Sequence, residues 1–320
     1  MRHIAAFAAA SLLAACVPET AEGAEPSARY TFWRPAPVEG APEPSEVVAG
    51  SAAADWRAID PDNLLVMDLA DSNGVAGGRV VIELAPDFAP VHVANVRAFA
   101  RGGWWNGATI YRVQDNYVAQ WGNGDAEVPL PAGVVRPAPA EYDRDLAGLS
   151  ARPLGFPDSY APAVGHAGGW PMAWDPESGR AWLTHCYGSV GVGRDLSPDT
   201  GTGGELYAVI GHAPRHLDRN IATVGRVIEG IALLSARPRG TGNLGFYETE
   251  RGERPIAIRA LRVASDLPAA ERPNFEVMRT ESDSFSAYVT GRANRGGTFF
   301  IRPAGGIDLC NVNVPVRRRP

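Results

Sequence analysis

The chain has 320 residues, 45% of them apolar and 21% charged. That is enough to bury a sizeable core, and too long for one minimal domain. A formal net charge of −6 excludes the overall basic balance expected of nucleic-acid binders. All 30 basic residues are arginines, scattered along the chain. The three cysteines, Cys16, Cys186 and Cys310, form no C-x-x-C pair, so neither a zinc site nor a dithiol redox site has a spacing to rest on.

The chain opens with the short basic stretch Met1-Arg2-His3, followed by an apolar run from Ile4 to Ala15. That run is too short to span a bilayer as a helix, which needs about 20 residues, but it fits the apolar region of a secretory signal. It ends in Leu13-Ala14-Ala15-Cys16, which resembles the lipobox of bacterial lipoproteins. The resemblance implies lipidation of Cys16 and a periplasmic protein anchored to the cell envelope. Val17, in place of Asp, points to the outer membrane. An ordinary signal cleaved after Ala21 or Ala24 is the alternative. Cys186 and Cys310 are then left over, and an oxidising compartment would permit them to pair. Residues 16–54 are rich in Pro, Ala, Glu and Gly and read as a tether, with Tyr30, Phe32 and Trp33 as a candidate docked strand.

In the body, Leu64–Leu69 and Arg79–Leu84 flank the turn cluster Asp71-Ser72-Asn73-Gly74 and read as a hairpin. After Pro90, Val93, Val96, Phe99 and Ala100 recur at helical spacing until Gly102-Gly103. Ile110–Val113 and Tyr117–Trp121 are short strands around Asp115-Asn116. The stretch 126–185, rich in Pro and Gly, reads as an irregular insertion. Leu206–Ile210 and Ala222–Val227 are strands, Ile228–Ala236 is a short helix, and Ile256–Val263 is a closing strand. Many short strands with two short helices predict a mainly β fold, a closed antiparallel barrel with helical caps. Residues 266–320 form a C-terminal extension with candidate edge strands at Phe275–Val277, Tyr288-Val289 and Thr298–Ile301, and a solvated arginine tail.

The run Ile110-Tyr111-Arg112-Val113-Gln114-Asp115-Asn116-Tyr117-Val118-Ala119-Gln120-Trp121-Gly122 resembles the cyclophilin signature. The blocks Gly78–Leu84, Val93–Val96, His216–Asn220 and Val224–Gly230 match the family in the same order, so the resemblance covers residues 60–265. It implies an eight-stranded antiparallel barrel capped by two helices over residues 55–265, with a groove on its outer face for proline-containing peptides. It implies no cofactor and no metal. The resemblance marks the chain as a peptidyl-prolyl cis/trans isomerase acting on unfolded or flexible polypeptides during the folding of exported proteins.

Isomerising an X-Pro bond means crossing a barrier of about 18–20 kcal/mol set by the partial double bond of the amide. No nucleophile is needed, only better binding of the twisted amide than of either planar isomer. A cation donating to the prolyl nitrogen would achieve that, and Arg112 is the catalytic candidate. Tyr117, Val118 and Leu217 match the family's apolar proline pocket, Gln120 matches the glutamine that positions the arginine or the peptide carbonyl, and His216 stands on the rim. At Gly204-Glu205-Leu206-Tyr207-Ala208 the match loosens. One register offers Leu206 and Ala208 to the groove; a one-residue shift offers Glu205 and Tyr207, and this register is preferred because it fills the pocket with an aromatic. Ile221 stands where the family often has His or Tyr. Two rival readings are a catalytically weak proline-peptide-binding barrel and a structural envelope lipoprotein.

Overall fold

The computed structural model describes residues 36–71, 77–123 and 128–319. The leader, Cys16, the Tyr30–Trp33 segment and most of the 71–74 turn lie outside the described residues. Among the described residues, sixteen strands and four α-helices follow in chain order. The strands are β1 (Trp56–Ala58), β2 (Leu64–Leu69), β3 (Gly78–Leu84), β4 (Thr109–Val113), β5 (Val118–Gly122), β6 (Arg144–Asp145), β7 (Arg152–Pro153), β8 (Ala163–Ala167), β9 (Trp170–Asp175), β10 (Arg180–Leu183), β11 (Ser189–Val192), β12 (Leu206–Val209), β13 (Thr223–Glu229), β14 (Ile256–Val263), β15 (Phe275–Met278) and β16 (Val316–Arg318). The helices are α1 (Pro44–Gly50), α2 (Pro90–Arg101), α3 (Ile231–Ser235) and α4 (Asp283–Ala293).

Eight strands close into an antiparallel barrel in the order β11-β12-β5-β4-β14-β2-β3-β13, as the sequence reading expected. Closure leaves no sheet edge unpaired. Period-two patterns send Leu65, Met67, Val80, Ile82, Val224 and Leu261 into one core. Pro90 opens α2, and Val93, Val96 and Phe99 add its buried face to that core. From α3, Leu234 does the same. Helix α3 begins three residues later than expected, because β13 runs on to Glu229.

The insertion is not irregular. Residues 144–183 form a five-stranded antiparallel sheet, β6-β10-β9-β8-β7. Trp170, Met172 and Trp174 pack with Ala85 and Phe88, while Val164, Ala173 and Trp182 on the opposite face join a second core. A sheet covered on both faces shows no apolar/polar alternation, and Gly and Pro turns punctuate these strands.

That second core also holds Phe275, Val277, Phe285, Leu309 and Val312. Here the extension departs from expectation. Phe275–Met278 is a strand, paired with β1 and β16. Tyr288-Val289 belongs to α4, which Ser282 caps through Phe285 N–H, and Thr298–Ile301 is not a strand. The tail is not a free solvated end: β16 pairs with β15, and Arg317 and Arg318 meet Glu276 and Glu229. The end of the supposed tether forms α1, whose Val47 and Val48 pack on the second core. A Cys186–Cys310 disulfide, Cα–Cα 5.0 Å, joins the end of the insertion to the extension. Among the described residues, no helix is long and apolar enough to cross a membrane.

Candidate active site

The site is built on the outer face of β4, β5, β12 and β11. Ile110 pairs with Trp121 and Arg112 with Gln120, so the ladder is interrupted at Tyr111 by a bulge. Two residues then oppose one on the partner strand. The bulge lets Ile110 and Val113 both face the core while the two residues between them point outward. Gln120 pairs with Tyr207, and Tyr207 with Gly191. Arg112, Gln120, Tyr207 and Gly191 therefore form one row across four strands.

The 205–208 segment is fixed from behind. The indole N–H groups of Trp104 and Trp105 both donate to the Gly204 carbonyl, at 3.2 and 2.9 Å. Leu206 and Ala208 consequently lie in the barrel core, and Tyr207 lies on the groove side with Val118 and Val209. Gly191 has to be glycine: a Cβ there would sit 2.3 Å from the Tyr207 hydroxyl. Gly122 similarly leaves room for the Glu205 carboxyl.

Arg112 is half-buried. It donates through Nη1 to Gln120 Oε1 at 2.9 Å, through Nε to the Leu244 carbonyl at 2.7 Å, and through Nη2 to Gln114 Oε1. Among the bonds of the described residues, one N–H on each Nη remains for a substrate. Its guanidinium lies over the rings of Tyr117, at 5.7 Å, and Phe246, at 5.5 Å. Gln120 Nε2 donates to the Tyr111 hydroxyl at 2.7 Å, and that hydroxyl donates to Glu205 at 2.5 Å. Burial pushes the Glu205 carboxyl up to about 7, against the opposing pull of the Tyr111 hydrogen bond. Burial lowers the Arg112 guanidinium and raises the Tyr117 phenol.

Beside Arg112, Val118, Tyr207 and Val209 form a buried apolar cluster, with Tyr117, Leu217 and Ile221 partly buried against it; this cluster is the floor of the candidate proline slot. His216 is exposed and stacks on Tyr117, with ring centroids 6.3 Å apart. Behind the slot, the Tyr207 hydroxyl meets His185 Nε2 at 2.9 Å. His185 Nδ1 lies 3.0 Å from Asp218, which also binds Arg215. The residues singled out from sequence (Arg112, Tyr117, Val118, Gln120, Glu205, Tyr207, His216 and Leu217) thus meet around one groove. Trp170 and residues of the C-terminal extension line a different cavity, of about 400 Å³, beside the disulfide.

Sequence reasoning passed over Tyr111, Gln114, Leu244, Phe246 and the His185–Asp218 pair. Tyr111 and Gln114 stand inside the signature run and were open to scrutiny there. The 244–246 loop carried no signal, because Leu244 acts through its backbone carbonyl, held at a positive φ of 56°.

A closed eight-stranded barrel bearing a half-buried arginine beside an apolar cluster on its outer face defines a class of β-barrel proteins. The family described as cyclophilin type peptidyl-prolyl cis-trans isomerase/CLD matches residues 66–263, and the chain belongs to that family. A probable peptidyl-prolyl cis-trans isomerase of Brucella suis biovar 1 (strain 1330) is 39% identical over 66 residues, 21% of this chain and 31% of that protein. Its counterpart in Brucella abortus (strain 2308) is 38% identical over the same length. The alignment thus spans about a third of these curated relatives. The crystal structure of cyclophilin AquaCyp293 from Hirschia baltica superposes with a TM-score of 0.63 at 25% identity, covering 82% of this chain and 93% of that one.

Proposed function

We propose that the protein is a peptidyl-prolyl cis/trans isomerase that seats proline in the Val118–Tyr207–Leu217 slot and donates from Arg112 to the prolyl nitrogen. Twisting the amide localises the nitrogen lone pair, so a donor aimed there binds the transition state more strongly than either planar isomer. Carrying this reading is the Arg112–Gln120 hydrogen bond of 2.9 Å beside the apolar cluster, which aims a permanent cation without consuming, among the described residues, all its donors. The test is NMR exchange in a short Ala-Pro peptide, with the chain from Val17 onward beside its Arg112→Ala variant. Acceleration should fall roughly 10²–10³-fold in the variant, the usual cost of losing one donor aimed at developing charge. Acceleration intact in the variant would remove Arg112 from the mechanism.

A weaker catalyst that mainly holds proline peptides is the second reading. The Leu244 carbonyl favours it, because it already engages Arg112 Nε at 2.7 Å. Peptide signals that shift without accelerated exchange would select it.

The same proposal has the protein exported, anchored by a lipid on Cys16 in the periplasm, and acting on exported polypeptides. The basic start, the apolar run and the Ala14-Ala15-Cys16 junction support it, as does the Cys186–Cys310 disulfide, a bond that persists in oxidising compartments. Cys16→Ser should move the protein from the membrane fraction to the soluble one; an unchanged distribution would refute lipid anchoring.

A further inference from the structure

After α4 the chain turns through Arg295-Gly296-Gly297-Thr298 and presents Phe299, Phe300 and Ile301 to solvent. Their exposures are 85%, 38% and 94%. Three consecutive large apolar residues in the open are uncommon on a soluble surface and mark a contact site. The rings of Phe299 and Phe300 meet edge to face, 5.0 Å apart, so they form one apolar tip.

The charge around the tip is one-sided. From Ser284 to Ile307 the sequence holds Arg292, Arg295 and Arg302 and no carboxylate, in a chain whose net charge is −6. Arg295 and Arg302 are exposed, and Arg295 lies over the Phe300 ring at 5.8 Å. Arg292 is turned inward to the Asn311 carbonyl. Glu43, beside Gly297, is at the base of the tip.

The loop that carries the tip also packs on Pro37 and Val38. Val38 N–H donates to Asn294 Oδ1 at 2.8 Å, and Gly305 leaves room for Pro37, whose nitrogen would lie 2.7 Å from a Cβ there. Residues 37 and 38 thus lie beside the 294–305 loop.

We propose that this loop is a membrane-contacting element. Phe299, Phe300 and Ile301 enter the headgroup region of a bilayer, and Arg295 and Arg302 meet anionic lipid headgroups. Aromatic and aliphatic tips flanked by arginines suit that boundary, where apolar side chains are buried and guanidinium groups stay hydrated beside phosphate. The proposal stands beside the reading that Cys16 is lipidated, but the tip itself does not need the lipid. A lipid and an inserted tip together would give the two signals that stable anchoring requires.

The test uses the full chain carrying Cys16→Ser, so that no acyl chain is attached, with Ile301→Cys labelled by an environment-sensitive fluorophore. A second sample carries the label at Leu196→Cys, a site 87% exposed in a different loop. Vesicles of phosphatidylglycerol and phosphatidylcholine should shift the emission at position 301 to the blue. Nitroxide-bearing lipid should quench it, and high salt should weaken both effects. The label at position 196 should stay in water. Phe299→Ser with Arg295→Glu added to the position-301 sample should abolish the shift while leaving the thermal unfolding midpoint unchanged. A chain that sediments with vesicles while the label at 301 stays in water would overturn the proposal, because the leader alone would then account for binding. A blue shift without vesicles that grows with protein concentration would also overturn it, in favour of a second copy of the chain. Neither outcome bears on Arg112 or on acylation of Cys16.

Discussion

Two polar networks flank Tyr207 and differ in how much charge they leave uncommitted. On the groove side, Arg112, Gln120, Tyr111 and Glu205 are each partly exposed, and among the described residues the arginine keeps one N–H on each Nη without a partner. Behind the slot, Arg215, Asp158 and Asp218 have side chains only 3%, 2% and 6% exposed. Arg215 is bidentate to Asp158, at 2.9 and 3.1 Å, and holds Asp218 at 2.6 Å. Asp218 also accepts the His185 backbone N–H at 2.9 Å. A buried charge paired this completely has nothing left to offer a substrate, and its work is to fix the wall of the slot. A half-exposed arginine with spare donors is less firmly held but chemically available. The first network should therefore fail in rate when broken, and the second in stability.

Asp218→Ala gives the sharpest break. It leaves Arg215 short of one partner and His185 Nδ1 with none, at a cost of about 3–5 kcal/mol, the range for breaking a buried ion pair. A urea titration should show the midpoint falling accordingly. A loss below about 1 kcal/mol would mean that the buried cluster does not hold the wall.

Tyr207→Phe separates the two roles of one residue. The ring stays in the slot, so peptide affinity should stay within a few-fold. The hydroxyl is lost, and His185 Nε2 is left with Thr223 at 3.4 Å. The expected loss of stability is about 1–3 kcal/mol, the cost of an unsatisfied buried polar group. An affinity collapse at unchanged stability would reverse the assignment and make the hydroxyl part of the groove.

The barrel was legible because its strands alternate with period two and its signature blocks keep their order, from Gly78–Leu84 to Val224–Gly230. The groove residues were legible for the same reason: Arg112, Tyr117 and Gln120 stand in one contiguous run. The 204–208 register needed more than pattern. Either register sends at least two apolar or aromatic residues inward, Tyr207 with Val209 or Leu206 with Ala208; in three dimensions Gly204 is clamped by Trp104 and Trp105 from a hundred residues away, and Leu206 and Ala208 face the core. The sheet at 144–183 was illegible because both its faces are buried, which removes the alternation that betrays a strand. Helix α4 was misread as a strand at Tyr288-Val289 because a β-branched and an aromatic residue favour strands locally; packing on the second core decided otherwise. The buried pair His185–Asp218 is 33 residues apart, and no spacing rule reaches it.

The smallest effect lies in Glu205, the one groove carboxyl that burial raises to about 7. A raised carboxyl favours its protonated form in the folded protein. Its contribution to stability is therefore complete below its ordinary value near 4.5 and is lost as pH climbs through about 7. Because the group is partly exposed, that contribution is on the order of 1 kcal/mol. Activity should follow the same direction. Ionised Glu205 places a negative charge two hydrogen bonds from Gln120 and weakens the positive field that Arg112 turns on the prolyl nitrogen. Exchange rates should fall roughly two- to fivefold between pH 6 and pH 8, a change worth about 0.4–1 kcal/mol. Glu205→Gln keeps the shape, accepts the Tyr111 hydroxyl and cannot ionise, so its profile should be flat. A matching decline in the variant would assign the titration to another group. A wild-type rate that climbs with pH would mean that the carboxylate helps, by tightening Tyr111 and Gln120 behind the arginine, and the sparing of charge on the groove side would then be the wrong description of this network.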